Sequence, residues 1–244
     1  MKDFGFYLVM TNPVVGYAKC AKAAVKAGVK IIQLRMKHAS QEEILREARE
    51  VRRVTSGTDT LFIVNDDPEI ASEVGADGVH VGQDDMPPSE IRARYPDLRI
   101  IGLSTHNINQ TRASISQPID YIGVGPVYAT PTKDIPDPTL GLATMGEMIA
   151  AAAHPAVAIG GIDLERLPSV IAAGARNFAV VRAVCQSTNP YDEILRFMEV
   201  HSVSLSQTQY SLAAYLRHKD TAPPTYHIHR RIAVGASKAD RHAT

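Results

Sequence analysis

Apolar residues alternate along the chain between two spacings. Short runs rich in β-branched and other apolar residues lie at Phe6–Met10, Lys30–Leu34, Leu61–Val64, Gly78–Val81, Arg99–Leu103, Tyr121–Val124, Ala156–Ile159 and Asn177–Val181. Each has the length and composition of a buried strand. Between and after them, apolar residues recur at helical spacing over Ala18–Ala27, Gln41–Thr55, Pro68–Val74, Pro88–Tyr95, Ile108–Ser116, Thr144–Ala153, Leu164–Ala173 and Tyr191–Val200. The punctuation agrees with this division. Ser40 and Glu43 form a capping-box signature, and Gly28, Gly75 and Gly174 follow helical stretches, where a left-handed cap favours glycine. One theme repeats at Ala27-Gly28-Val29, Val74-Gly75-Ala76-Asp77-Gly78 and Ala173-Gly174-Ala175-Arg176, a helix end turning into a strand. Recurrent βα units with short connections predict an α/β fold with a parallel sheet. Eight of them fit a closed (β/α)8 TIM barrel better than an open doubly wound sheet.

The rhythm stops near residue 200. The expected organisation is one barrel over 1–200 and a C-terminal extension over 201–244, with a short helix over Gln209–His218 and little order beyond Pro223-Pro224. The extension carries five of the nine histidines and six basic against two acidic residues. Its His227-x-His229 pair is too sparse to mark a metal site.

Composition narrows the function. Of the 244 residues, 45% are hydrophobic, which supplies a core, and 26 Lys+Arg balance 26 Asp+Glu. The net charge gives no electrostatic case for nucleic acid or a membrane surface, so an anionic ligand needs a local site. The only cysteines, Cys20 and Cys185, have no paired spacing. No apolar run approaches the ~18 residues of a membrane span, and the N-terminus lacks a signal-peptide core. A reduced, cytoplasmic protein is the expectation. Homo-oligomerisation is left open.

Catalytic groups of a parallel barrel sit at the C-terminal ends of its strands. The second strand ends in Gln33-Leu34-Arg35-Met36-Lys37. Alternation puts Gln33, Arg35 and Lys37 on one face as an anion cradle, with Leu34 and Met36 turned towards the helices. Strand three ends in Asn65-Asp66-Asp67-Pro68 and strand four in His80-Val81-Gly82-Gln83-Asp84-Asp85. Carboxylates from neighbouring strand ends can share a hard cation such as Mg2+, together with phosphate oxygens and waters. One of Asp66 and Asp67 is expected to cap the next helix, with Asp67 the better placed, and the other to bind metal. His80 reads as a buried barrel histidine. Ser104, after strand five, suits either a phosphate or a helix cap. Strand six leads into Thr130-Pro131-Thr132-Lys133, a phosphate clamp within a lid-length loop. Gly160-Gly161-Ile162 and Val181-Arg182 follow strands seven and eight, where barrels often bind phosphate.

Taken in order, these motifs resemble thiamine phosphate synthase over about residues 6–200. The matching segments are Gln33-Leu34-Arg35-Met36-Lys37, Val64-Asn65-Asp66-Asp67, His80 to Asp85, Gly102-Leu103-Ser104, Gly125-Pro126-Val127-Tyr128 with Thr130 to Lys133, and Gly160-Gly161-Ile162. The resemblance implies two substrates, a hydroxymethylpyrimidine diphosphate and a hydroxyethylthiazole phosphate, joined to give thiamine phosphate and diphosphate. It implies that Gln33 to Lys37, Asn65 and Ser104 hold the pyrimidine diphosphate. Asp66 and Asp85 would bind Mg2+. Thr130, Pro131 and Thr132 would meet the thiazole phosphate, Lys133 would reach the diphosphate, and Gly161, Val181 and Arg182 would complete the phosphate site. Catalytic weight then falls on Arg35, Lys37, Lys133 and Ser104. Many members of the family have Ser where Arg182 stands. Two other readings remain: a thiazole tautomerase of the same superfamily, whose base after strand six is replaced here by Gly125-Pro126-Val127, and a non-catalytic binding barrel.

Overall fold

A computed structural model of the chain describes residues 3–130 and 138–219, with side chains as far as residue 210. Eight parallel strands, β1 (Phe6–Met10), β2 (Ile31–Leu34), β3 (Leu61–Asn65), β4 (Gly78–Val81), β5 (Ile100–Thr105), β6 (Tyr121–Val124), β7 (Ala156–Ile159) and β8 (Asn177–Val180), pair in sequence order and close into a barrel. Closure pairs β1 with β8, Phe6 standing against Phe178. The helices are α1 (Tyr17–Lys26), α2 (Gln41–Thr55), α3 (Pro68–Glu73), α4 (Pro88–Arg94), α5 (Ile108–Ala113), α6 (Gly141–Ala151), α7 (Leu167–Ala172), α8 (Arg182–Cys185) and α9 (Pro190–Lys219).

Strand alternation sorts the apolar residues into two cores. Tyr7, Val9, Ile31, Ile63, Tyr121, Val157 and Ala179 fill the barrel, while the next residues along, such as Leu8, Ile32, Val64 and Phe178, join the layer against the helices. The capping box at Ser40 and Glu43 starts α2 as expected.

The bottom of the barrel is laced by polar side chains that each precede or begin a strand. Asp77 accepts from Phe62 N at 2.9 Å and pairs with Arg52 and Arg99 at 3.2 and 2.5 Å. Asp120 accepts from Ile101 N at 2.7 Å and pairs with Arg92. Asn177 Oδ1 accepts from the amides of Phe4 and Gly5. In each case a short acceptor takes up a strand-end N–H that would otherwise lack a partner.

Two elements depart from the expectation by more than their end residues. The four-residue α8 was not anticipated, because one helical turn carries no readable period. α9 runs on through residues 201–208, where serines and a threonine interrupt the apolar pattern. Their hydroxyls turn back onto the helix: Ser204 Oγ donates to Val200 O at 2.7 Å and Thr208 Oγ1 to Ser204 O at 2.9 Å. His201 packs on Phe178, with ring centroids 5.1 Å apart. Contacts divide the chain into a unit ending at Gln209 and a second beginning at Tyr210, of which residues 210–219 are helical. The expected disorder and the His227/His229 pair lie outside the described residues.

Candidate active site

A cavity of about 350 Å3 opens at the C-terminal ends of the strands. From β2, Gln33, Arg35 and Lys37 all line it, as the alternation requires. Arg35 N donates to Met10 O at 2.9 Å, so the β1–β2 ladder extends to the arginine and fixes its face. Leu34, named with the expected substrate-binding residues, does not line this cavity. Its side chain is buried in the layer against the helices, because it occupies the outward register position. Met36 packs on that same core from the wall of an adjoining cleft of about 550 Å3, which it shares with Arg35, Lys37, Val181 and Arg182.

The carboxylates sit beside this cradle. Asp67 caps α3, its Oδ1 accepting from Ile70 N at 2.8 Å, which leaves Asp66 for the cavity. Asp66 has φ +63°, a left-handed conformation that aspartate tolerates better than most residues. Its N–H donates to His80 O at 2.8 Å, tying the turn to β4, and Lys37 Nζ donates to its carboxylate. Asp85 accepts from Gly82 N at 2.7 Å. Burial pushes the Asp85 carboxyl above its ordinary proton affinity, the Gly82 amide pulls it down, and the nearby charge of Asp66 pushes it up again. Two hard oxygen donors that repel each other in this way suit a small dication. Among the described residues no group of three or more His, Cys, Asp or Glu could hold a metal. Two carboxylates from adjacent strand ends match the one or two that Mg2+ takes, with phosphate oxygens and water filling the rest of its shell.

The opposite wall is built differently. Val127 N donates to Ile159 O at 2.9 Å and Tyr128 N to Gly160 O at 3.0 Å, so the segment after β6 lies directly on the Gly160-Gly161 turn. A Cβ at Gly160 would stand 2.6 Å from Pro126 Cα, and one at Gly161 would stand 2.7 Å from Tyr128 Cβ and 2.8 Å from Ala129 O. Both glycines also have positive φ, +103° and +63°. Close approach and backbone conformation thus demand glycine twice over. Thr130, Gly161, Val181 and Arg182 line the cavity; Pro131, Thr132 and Lys133 lie outside the described residues. The loop containing them returns through Leu140 N to Pro126 O, 2.8 Å, and Gly141 N to Val127 O, 3.0 Å.

Several cavity residues were not singled out from the sequence. Tyr7 and Tyr121 read there as apolar strand positions, yet their hydroxyls meet at 2.9 Å inside the barrel. His106 reaches Gly125 O through Nδ1 at 2.7 Å, and Arg166 donates to Gly161 O at 2.9 Å while its guanidinium lies 5.0 Å from the Tyr128 ring. Only the position of His106 after a barrel strand signalled it. His80 lies within the barrel, partly exposed to the cavity, and Asn65 and Ser104 stand beside it on β3 and β5.

A family model described as thiamine monophosphate synthase matches residues 6–184. The chain belongs to the thiamine monophosphate synthase family. Among relatives, the thiamine-phosphate synthase of Synechococcus sp. (strain CC9311) is 45% identical over 169 residues, 69% of this chain and 48% of its own. That of Gloeobacter violaceus is 41% identical over 193 residues, 79% of this chain and 56% of its own. That of Laribacter hongkongensis is 37% identical over 194 residues, 78% and 92% respectively. The chain thus spans about half the length of the first two and nearly all of the third. The solved thiamine phosphate pyrophosphorylase of Pyrococcus furiosus superposes with a TM-score of 0.76 at 27% identity, covering 83% of this chain and 97% of that one. A 3-hexulose-6-phosphate synthase, at 16% identity and a TM-score of 0.58 over 79% of this chain and 98% of its own, shares the barrel alone. Within the thiamine monophosphate synthase family, the match to residues 6–184 takes in every strand and both walls of the cavity.

Proposed function

We propose that the chain condenses 4-amino-2-methyl-5-hydroxymethylpyrimidine diphosphate with 4-methyl-5-(2-hydroxyethyl)thiazole phosphate to give thiamine phosphate and diphosphate. The observation that carries this reading is the charge layout of the cavity: Arg35, Lys37, Asp66 and Asp85 gather on one wall, and a glycine-built backbone turn forms the other. One wall suits a metal-bound diphosphate and the other a monophosphate.

Asp66 and Asp85 would hold Mg2+, which when bound supplies positive charge against the diphosphate oxygens. Arg35 offers a fork and Lys37 a point charge to the same leaving group, and Lys133 is assigned to it as well. Gln33, Asn65 and Ser104 orient the pyrimidine so that its methylene faces the thiazole nitrogen. Thr130, Thr132, Gly161, Val181 and Arg182 hold the thiazole phosphate. The bond between the methylene carbon and the diphosphate oxygen breaks with its electron pair leaving on diphosphate, and the thiazole nitrogen supplies the pair for the new C–N bond at that methylene. No side chain needs to act as a nucleophile. Catalysis rests on positioning and on charge placed where the leaving group develops it.

Catalysis is assigned to the barrel over 1–200, in the cytoplasm. No helix among the described residues is long and apolar enough to cross a membrane. Diphosphate release from the two substrates tests the reading. Release that needs both substrates and Mg2+ is expected. Isomerisation of the thiazole without diphosphate release supports a tautomerase instead, and binding without turnover supports a binding module.

A further inference from the structure

A chain of hydrogen bonds crosses the inside of the barrel below the cavity. Gln33 Nε2 donates to the Tyr7 hydroxyl at 2.8 Å. The Tyr7 and Tyr121 hydroxyls lie 2.9 Å apart, Tyr121 lies 2.9 Å from His80 Nδ1, and His80 Nε2 lies 2.9 Å from Ser104 Oγ. Five residues from β2, β1, β6, β4 and β5 are linked end to end, and both ends line the cavity. Tyr7 and Tyr121 are buried. Burial pushes both phenols well above their ordinary proton affinity, so each keeps its one proton. The barrel has made room for the crossing: a Cβ on Gly102 would stand 2.1 Å from the Tyr121 ring, 2.4 Å from its hydroxyl and 2.5 Å from His80 Nδ1.

A hydroxyl has one hydrogen to give, so the links are not independent. With the Gln33 amide nitrogen donating, Tyr7 gives its hydrogen to Tyr121, and Tyr121 gives its own to His80 Nδ1. His80 is then the neutral Nε2–H tautomer and donates to Ser104, whose hydrogen is left for a ligand. At the far end Gln33 keeps its carbonyl oxygen for a ligand. Reversing the Tyr7–Tyr121 link reverses every link beyond it as far as Ser104, and leaves the buried Tyr7 hydrogen with neither Gln33 Nε2 nor Tyr121 to accept it.

We infer that Tyr7, Tyr121 and His80 are positioning residues whose shared polarity makes Ser104 a donor and Gln33 an acceptor on facing walls of the cavity. This deepens the proposed function and rests on it for the identity of the ligand. β2 and β5 stand three strands apart around the barrel. A 4-aminopyrimidine presents an amino donor at one end and a ring-nitrogen acceptor at the opposite, para end. It matches this polarity, and a 4-oxopyrimidine, with an acceptor where the amino group was, does not. A chain broken at Tyr121 frees the Tyr7 hydrogen to turn to Gln33, so the amide can rotate and present N–H to an oxo group.

Two measurements test the relay. In the ligand-free protein, nitrogen NMR of histidine-labelled samples, assigned with His80→Asn, should show His80 protonated at Nε2 alone. A proton on Nδ1 overturns the proposal. Separately, the 4-oxo diphosphate analogue should inhibit roughly tenfold more weakly than the amino substrate binds, as one mismatched buried hydrogen bond implies. In Tyr121→Phe that ratio should fall towards one, while KM for the thiazole phosphate stays as in the unaltered chain. Tyr7→Phe breaks the relay one link earlier and should do the same, which provides a second variant if Tyr121→Phe fails to fold. An unchanged ratio in a folded variant overturns the relay. A protein that shows the Nε2–H tautomer but releases no diphosphate overturns the proposed function and supports the relay.

Discussion

The two walls of the cavity are made by different means. On the β2–β4 side, long charged side chains do the work: Arg35 and Lys37 reach in from alternate positions of one strand end, and Asp66 and Asp85 come from the next two. On the β6–β8 side, what lines the cavity is largely backbone, a Gly160-Gly161 turn locked under the segment that follows β6. The first wall is chemically specific and tolerant of shape. The second is geometrically exact, and its charged side chains, Asp163, Arg166 and Arg182, stand around a turn made of backbone. Substitutions should therefore fail differently on the two sides, through charge on one and through backbone fit on the other.

The largest expected effect is on the charged wall. Asp66→Asn keeps a residue type that accepts the left-handed backbone and removes only the charge. Mg2+-dependent turnover should drop by roughly 10^2-fold or more, as loss of a key electrostatic group does. A Mg2+ titration of initial rates checks it, and near-normal turnover would remove Asp66 from the metal site. Next is the backbone wall. Gly161→Ala should raise KM for the thiazole phosphate by roughly tenfold and lower Tm by about 3–8 °C, because its Cβ collides with Tyr128 and the φ is unfavourable. Steady-state kinetics with thermal unfolding would show both changes together.

Smaller effects sharpen the contrast. Asp85 binds its proton more tightly folded than unfolded. Its contribution to stability is therefore full below the ordinary carboxylate range, near pH ~4, and is lost as pH rises through the folded value. In metal-free buffer at neutral pH, Asp85→Asn should melt about 1–3 °C higher than the parent, keeping an acceptor for Gly82 N–H, and the gain should vanish on acidification. Thermal melts across pH decide this. No stabilisation at any pH would mean that the carboxylates do not repel. Arg182→Ser should have the smallest effect. Among the described residues its guanidinium makes one long hydrogen bond, 3.4 Å to Gln186. A few-fold rise in KM for the thiazole phosphate, with Tm unchanged, is the expected outcome for an added cation on a wall held by backbone.

The charged wall was largely legible in the sequence, because alternation along β2 puts Gln33, Arg35 and Lys37 on one face however the barrel closes. Asp67 was separable from Asp66 because a cap before proline is a local feature. β1, β4, β6 and β7 have the expected limits, since each is a compact run bounded by polar, glycine or proline residues. The interior relay was not legible. Tyr7 and Tyr121 are 114 residues apart, and only closure brings their hydroxyls together. The outward turn of Leu34 was implied by the same alternation that placed its neighbours inward. α9 was cut short because serine hydroxyls that bond within a helix look, in sequence, like the start of a loop.

The closed sheet has a further consequence during synthesis. β1 leaves the ribosome before the other seven strands, and its partner on one side, β8, begins at Asn177. Until then the growing sheet carries two open edges of apolar strand, the kind of surface on which nascent chains associate wrongly. The helices that pack outside each new strand can shield its face, but only the last strand can remove the edge. Ribosome pausing before residue 177, or a nascent chain truncated there, is where this barrel is most exposed to aggregation.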